Sequence, residues 1–151
     1  MPEPPPALTA QETAEFVGTG MFANDHASQW MGMRVTSVAP GRATLVMTVR
    51  GEMLNGLGSC QGGFIATLAD SAFAYACNSY NEMTVASGFD VDFMAPARLG
   101  DVLSACAVEV SRTGRTGVYD AEVTNQRGER IAVFRGRSYT IKGKTSVISS
   151  S

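Results

Sequence analysis

The residues from Asn55 to Tyr80 read NGLGSCQGGFIATLADSAFAYACNSY. A glycine-rich segment ends at Gly63, and the alanine-rich segment that follows has the strongest helix preference in the chain. Its larger apolar residues are spread around most of the helical circumference, which predicts a helix buried on nearly all sides. We therefore expect the rest of the chain to pack around this one helix.

One carboxylate, Asp70, interrupts the apolar helix, and Thr67, Ser71 and Asn78 share its face at helical spacing. A buried carboxylate has a raised pKa unless hydrogen bonds or charges favour its ionised form, and such groups often act as bases or nucleophiles. The same pattern also fits an Asp that is satisfied by its neighbours or faces water.

The glycines before the helix suggest a binding role for its N-terminus. They leave the first backbone N–H groups accessible, and the helix dipole favours negative charge there. The group bound there is either an oxyanion forming on an acyl carbonyl or a phosphate. The phosphate-binding motif G-x-x-x-x-G-K-[ST] is not present in the sequence. A flexible turn is the alternative.

The spacing of Gly62 and Asp70 has a consequence for assembly. The two residues are eight positions apart, or about 12 Å along one helix. Two groups that act on one carbonyl must each lie about 3 Å from it. If both are catalytic, each site takes Gly62 from one subunit and Asp70 from its two-fold mate, which predicts a homodimer.

The composition narrows the functional class. The chain has 151 residues, enough for one domain, and its net charge of −2 argues against nucleic acid as the main partner. No apolar run approaches the roughly 20 residues of a membrane helix. Three cysteines without paired spacing and an N-terminus unlike a signal peptide indicate a cytoplasmic protein. The single histidine, His26, excludes mechanisms that need two.

The chain is expected to form one domain over residues 9–143, with a disordered segment over 1–8 and a flexible tail over 144–151. A capping box, Thr9-x-x-Glu12, opens a short helix that is predicted to end at Val17, and residues 21–30 are predicted to be irregular. The predicted strands cover residues 33–38, 42–50, 85–94, 101–112, 116–125 and 130–141. Short turns imply antiparallel pairing, so the predicted fold is α+β, with a curved antiparallel sheet around one central helix.

The segment 55–79 resembles the hotdog-fold acyl-CoA thioesterases of the phenylacetate-degradation (PaaI) type. The stretches ASGFDVDFMAP, TGVYDAEVTNQ and AVFRGRS also look like that family. The resemblance covers most of residues 31–143. It implies dimers that usually pair into homotetramers, hydrolysis of an acyl-CoA thioester that often carries an aromatic acyl group, and no metal or other cofactor.

The resemblance also implies residue roles. Asp70 corresponds to the family's nucleophile or general base, the Gly62 N–H to its oxyanion donor, and Asn55 to its polarising or water-positioning amide. The further candidates for substrate binding are Gly63, Gln61, Thr67, Ser71, Ser87, Arg112 and Arg115. Arg98, Arg135 and Arg137 are further candidates for the CoA phosphates, and Phe64 and Tyr80 are candidates for the acyl pocket. Close relatives commonly have histidine where this chain has Leu57 and Gln61.

The residues leave four alternatives to an aromatic acyl-CoA thioesterase. A cysteine hydrolase would use Cys60, whose pKa should fall beside a helix N-terminus. A hotdog dehydratase usually needs a histidine near the helix. A non-catalytic acyl-CoA binding protein would bind the ester without turnover. A thioesterase for medium-chain aliphatic acyl-CoA would differ only in its pocket.

Overall fold

The computed structural model describes residues 2–3 and 6–148, which contain three α-helices and six β-strands. The elements are α1 (Ala10–Asn24), α2 (His26–Trp30), β1 (Arg34–Ala39), β2 (Arg42–Thr48), a 3₁₀ turn (Gly51–Met53), α3 (Gly62–Cys77), β3 (Thr84–Phe93), β4 (Val102–Thr113), β5 (Thr116–Thr124) and β6 (Arg130–Thr140). None of the described helices combines the length and apolarity that crossing a bilayer requires.

The six strands form one antiparallel sheet in the order β1-β2-β4-β5-β6-β3. Tight turns join β1 to β2, β4 to β5 and β5 to β6. The chain leaves β2, passes through α3 and returns as β3 at the opposite side of the sheet. The predicted α+β hotdog arrangement, with a curved sheet around one helix, is confirmed.

Helix α3 packs its apolar side into the concave face of the sheet. Leu68, Ala69 and Ala72 are fully buried against the inward-facing side chains of β2, β4 and β5. The Phe73 ring lies edge-on to Tyr119 at 5.5 Å and directly over Gly136, where an added Cβ would be 2.9 Å from three ring atoms. A glycine at that position lets the helix approach β6 closely.

The N-terminal helices differ from the sequence prediction. The capping box is present, since Thr9 Oγ1 accepts from the Glu12 N–H and Glu12 Oε1 accepts from the Thr9 N–H. However, α1 continues to Asn24 and α2 covers His26–Trp30, so the two helices together occupy all but Asp25 of the segment predicted to be irregular. Two glycines lower the intrinsic helix preference of α1, and packing of Gly18 on Val38 of β1 compensates for it.

The two edges of the sheet are unequal. Helix α1 covers the β1 edge, where the Gln11 side-chain amide donates to the Val38 carbonyl at 2.8 Å. The β3 edge has no neighbouring strand among the described residues. Val85, Phe89 and Phe93 of this edge strand are each more than one-third exposed.

The C-terminal tail is hydrogen-bonded as far as Val147. Met83 N donates to the Lys144 carbonyl, and Val147 N donates to Asn81 Oδ1, both at 2.9 Å. The predicted disorder of the N-terminus and flexibility of the tail fall partly on residues 1, 4, 5 and 149–151, which lie outside the described residues.

Candidate active site

The N-terminus of α3 presents unpaired backbone donors. Gly62 and Gly63, predicted to lie in a loop, form the first turn of the helix, with Gln61 as an N-cap whose side chain makes no capping bond. Within residues 2–3 and 6–148, no acceptor is found for the N–H of Gly62 or of Gly63. These two donors, together with the helix dipole, form a potential oxyanion site.

A cleft of about 460 Å³ opens beside these donors. Its lining is mostly apolar and consists of Ser59, Cys60, Gly62, Ile65, Phe93, Met94, Ala95 and Pro96. The Phe93 ring lies on Gly62, since a Cβ added at Gly62 would be 2.7 Å from Phe93 Cζ. A glycine is thus required for this close approach between the start of α3 and the end of β3.

Asn55 organises the loop that leads to the helix. Its Oδ1 accepts from the backbone N–H of Leu57 at 2.9 Å and of Ser59 at 3.3 Å, and its own N–H donates to the Ser59 carbonyl. Its Nδ2 lies 3.4 Å from Ser59 Oγ, which is long for a hydrogen bond and makes this contact weak. The amide oxygen therefore fixes the loop, while the amide nitrogen keeps donor capacity. Leu57, at the tip of the loop, is 94% exposed.

Asp70 lies in the middle of α3 on the one stripe of the helix that is not buried. Gly63, Thr67 and Ala74 share this stripe with it. Partial burial raises the pKa of the Asp70 carboxyl, because desolvation disfavours its charged form. No hydrogen-bond donor to this carboxylate is found in the described part of the chain. The sequence predicts a helix buried on nearly all sides, and this prediction is wrong for the stripe that contains Asp70.

The predicted polar neighbours of Asp70 serve different purposes. Thr67 Oγ1 donates to the Gly63 carbonyl at 2.7 Å, a bond within the helix. Ser71 turns toward α2, where Ser28 Oγ is 3.4 Å from its hydroxyl. Asn78 is buried, so it does not share the half-buried stripe of Asp70, and the Asn78 side chain binds both backbone polar groups of Thr84. Asn78 is therefore a structural residue.

The predicted site residues fall into four separated groups, of which the arginines are the last. Asn55, Gln61, Gly62 and Gly63 lie together at the start of α3. Asp70 follows two turns later, about 12 Å along the axis from Gly62. Ser87 lies on the exposed β3 edge, at a register shift between Ala86 and Gly88, and donates to the Arg137 carbonyl at 3.2 Å.

The two arginines predicted to bind CoA lie near the far end of α3. The Arg112 guanidinium stacks on the Tyr80 ring at 3.7 Å from its centroid and is 3.8 Å from the carboxylates of both Glu82 and Glu109. Arg115 contacts the Tyr139 hydroxyl at 3.4 Å. Arg135 and Arg137 form ion pairs with Asp120 and Asp90.

The structure argues against a nucleophilic cysteine. Cys60 is buried at the base of the cleft, and this burial raises the pKa of its thiol. The lowered pKa that the sequence predicts beside the helix N-terminus is therefore not found, and the pKa of Cys60 shifts upward with burial as the cause. His26 is the exposed first residue of α2.

Sequence reasoning missed two features near the site. The first is the contact of Phe93 with Gly62. Phe93 lies in the stretch ASGFDVDFMAP that resembles the family, but only the fold brings these two residues, 31 positions apart, into contact. A partly buried polar network was also missed: Asp25 Oδ2 accepts from Ser28 Oγ at 2.7 Å and from the Tyr75 hydroxyl at 3.0 Å. Asp is a favoured N-cap residue, and Asp25 caps α2 by accepting from the Ser28 N–H at 3.0 Å, so the sequence could have indicated this part of the network.

The chain belongs to the Thioesterase superfamily, whose family description matches residues 57–132. The predicted class of enzyme, a thioester hydrolase with the hotdog fold, is therefore confirmed. The chain is similar to the acyl-coenzyme A thioesterase PaaI of Escherichia coli K12, with 45% identity over 123 residues, or 82% of this chain and 88% of the relative.

Solved structures agree with this assignment. The PaaI protein of the E. coli phenylacetic acid degradation operon superposes with a TM-score of 0.88 at 41% identity, over 90% of this chain and 99% of that one. A mutant of the phenylacetic acid degradation protein PaaI from Thermus thermophilus gives a TM-score of 0.73 at 36% identity, over 76% and 98% of the two chains.

Proposed function

We propose that this protein hydrolyses the thioester of an aromatic acyl-CoA, of the phenylacetyl or hydroxyphenylacetyl type, at sites shared across a homodimer. The similarity to the E. coli acyl-coenzyme A thioesterase over most of both chains supports an acyl-CoA substrate. The phenylacetic acid degradation operon of that relative supports an aromatic acyl group.

The observation that carries the two-subunit site is the position of Gly62 and Asp70 on one helix. Gly62 is the first residue of α3 and Asp70 lies two turns later, so both cannot reach one carbonyl from the same chain. Antiparallel pairing of two copies of α3 brings Asp70 of one subunit toward Gly62 of the other. The half-buried stripe around Asp70 is the part of the helix that such pairing would cover.

The bare edge of β3 supports the same dimer. An edge strand with unpaired backbone groups and exposed Val85, Phe89 and Phe93 side chains invites pairing with another strand. A second copy of β3, related by a two-fold axis, would extend the sheet and bury these side chains. Further assembly of dimers into a homotetramer is part of the proposal.

The proposed chemistry uses Asp70 in one of two ways. As a nucleophile, its carboxylate attacks the thioester carbon, the C–S bond breaks, the CoA thiolate leaves, and water then hydrolyses the acyl anhydride. As a general base, Asp70 takes a proton from the attacking water and returns it to the departing sulfur. The raised pKa of Asp70 makes its ionised form a stronger base in either route.

The oxyanion that forms on the substrate is assigned to the N–H of Gly62, with the Gly63 N–H beside it and the Asn55 amide as a second source of donors. Neither role needs a metal or another cofactor. Gln61, Thr67, Ser71 and Ser87 remain predicted substrate contacts, and a cytoplasmic location remains a prediction.

Arg112 and Arg115 are the proposed partners of the CoA phosphates. Arg115 has the weaker intramolecular contact and is therefore the better candidate. Arg112 would have to exchange two carboxylate neighbours for a phosphate, although its stacking on Tyr80 can persist.

The test is CoA release from phenylacetyl-CoA and from straight-chain acyl-CoA esters, with wild type beside Asp70→Asn. We expect the variant to lose at least about a thousandfold in kcat while it remains folded and dimeric. Preference for a straight-chain ester would favour the aliphatic thioesterase. Binding of all esters without turnover would favour the non-catalytic protein, and Leu57 and Gln61 would then be the first positions to exchange for histidine.

A further inference from the structure

We propose that Phe93 is a specificity-determining residue, whose ring forms the wall of the acyl-group site next to the oxyanion donors. This inference rests on the proposed function, because it assigns the cleft at the start of α3 to the acyl portion of the thioester.

The position of the ring follows from its contact with Gly62. A Cβ added at Gly62 would be 2.7, 3.1 and 3.3 Å from three atoms at the far edge of the Phe93 ring. The ring edge is therefore in contact with the residue that carries the proposed oxyanion donor. A carbonyl oxygen bound to the N–H of Gly62 or Gly63 has its acyl substituent within reach of this ring.

The surroundings of the ring suit an acyl group. Ile65, Met94, Ala95 and Pro96 line the same cleft, so its wall is mostly apolar. Phe93 lines this cleft, so the part of its ring that faces the cleft stays available to a ligand when a second copy of β3 covers the rest of the edge. An aromatic acyl group can meet it edge to face, a geometry that adds about three- to tenfold in affinity beyond area burial.

Phe89 provides a matched control on the same strand. Phe89 lies opposite Gly136 of β6, on the side of the sheet that faces α3. Its ring packs on Phe134, with 4.9 Å between the ring centroids, and does not line the cleft. Removal of the Phe89 ring therefore reports the general cost of an aromatic deletion from β3.

The experiment compares kcat/KM for phenylacetyl-CoA and hexanoyl-CoA in wild type, Phe93→Ala and Phe89→Ala. We expect Phe93→Ala to lower the phenylacetyl-to-hexanoyl ratio about tenfold. Phe89→Ala is expected to leave that ratio within about twofold of wild type. Light scattering reports the oligomeric state of each variant, and Phe93→Leu provides the same comparison if the alanine variant does not fold.

Binding separates this inference from the proposed catalysis. Non-hydrolysable thioether analogues of the two esters, with a methylene between sulfur and carbonyl, are titrated into the same proteins by calorimetry. A Kd ratio that shifts in Phe93→Ala while wild type hydrolyses neither ester supports the role of Phe93 and refutes the proposed hydrolysis of an aromatic acyl-CoA. Equal changes for both acyl groups, or an equal shift in Phe89→Ala, overturn the role of Phe93.

Discussion

The two ends of helix α3 differ in how their backbone groups are satisfied. At the C-terminal end, Asn78 donates to the carbonyls of Ala74 and Thr84 and accepts from the Thr84 N–H, all within 3.0 Å. Ser79 donates to the Ala76 carbonyl and accepts from the Gly41 N–H. At the N-terminal end, the N–H groups of Gly62 and Gly63 have no acceptor among the described residues.

We call the C-terminal end of α3, anchored by Asn78 and Ser79, its structural end, and the N-terminal end, with the N–H groups of Gly62 and Gly63, its chemical end. Buried polar groups that are fully hydrogen-bonded fix the position of an element. Unpaired donors at a helix N-terminus contribute nothing to stability within the chain but are available to an incoming oxyanion. Substitutions at the C-terminal end should therefore reduce stability, and those at the N-terminal end should reduce turnover.

The largest effect on stability is expected for Asn78→Ala. The variant loses three hydrogen bonds to backbone groups and leaves the buried Thr84 N–H without a partner. We expect a loss of about 2–4 kcal/mol in the free energy of unfolding. Urea unfolding monitored by circular dichroism provides the measurement.

Asn24→Ala is the control for this prediction, because Asn24 is an exposed asparagine in the last turn of α1. Its substitution should change the free energy of unfolding by less than about 0.5 kcal/mol. Similar values for both variants would show that the C-terminal end of α3 is not anchored by the Asn78 side chain.

The next effect concerns the N-terminal end and is expected in catalysis. Gly62→Ala places a methyl group against the Phe93 ring, which must move. We expect kcat/KM to fall about tenfold, and we expect the same substitution to cost less than about twofold when Phe93 is already alanine. Steady-state kinetics of the two single variants and the double variant measure this coupling. A full tenfold loss in the Phe93→Ala background would mean that the added methyl group clashes with the substrate and not with the Phe93 ring.

Sequence reasoning succeeded where the pattern is local. The capping box at Thr9, the turn at Gly41 and the alternation in the strands each depend on neighbouring residues, and the structure agrees with them. It failed where tertiary packing decides. The length of α1 depends on its contact with β1, and the raised pKa of Cys60 depends on burial by residues distant in sequence.

The site itself was only partly predictable for the same reason. Glycines before an apolar helix indicate exposed N–H donors, and one carboxylate in that helix stands out. The contact between Gly62 and Phe93 depends instead on the return of β3 beside the start of α3. The hydrogen bonds that Ser28 and Tyr75 both donate to Asp25 require α2 to pack on α3, and no periodicity indicates that contact.

Between the two ends, Asp70 should affect stability in a pH-dependent way. Its folded-state pKa is raised, so the folded protein binds the proton more tightly than the unfolded chain does. The resulting destabilisation is absent below the unfolded pKa of about 3.9 and fully present above the folded pKa. Asp70→Asn should therefore have a higher urea midpoint than wild type at pH 7, by an amount that shrinks toward pH 4.

Thr67→Val is a suitable comparison for Asp70→Asn, because it changes a polar residue on the same helix stripe without removing a titrating group. Its difference in urea midpoint from wild type should not depend on pH. A midpoint for Asp70→Asn that lies below wild type at pH 7 would mean that the ionised carboxylate stabilises the folded protein.

The smallest effect is expected for Cys60→Ala, the variant that tests whether the chemical end of α3 uses a thiol. The buried Cys60 side chain has a raised pKa, so its thiolate is scarce at neutral pH although the helix N-terminus lies one residue away. We expect kcat/KM to stay within about threefold of wild type. Hydrolysis is best followed by the decrease in ultraviolet absorbance of the thioester bond, since reagents that detect free CoA thiol would also react with the cysteines of the protein. A loss of a hundredfold or more in a folded variant would make Cys60 the nucleophile and would remove Asp70 from that role.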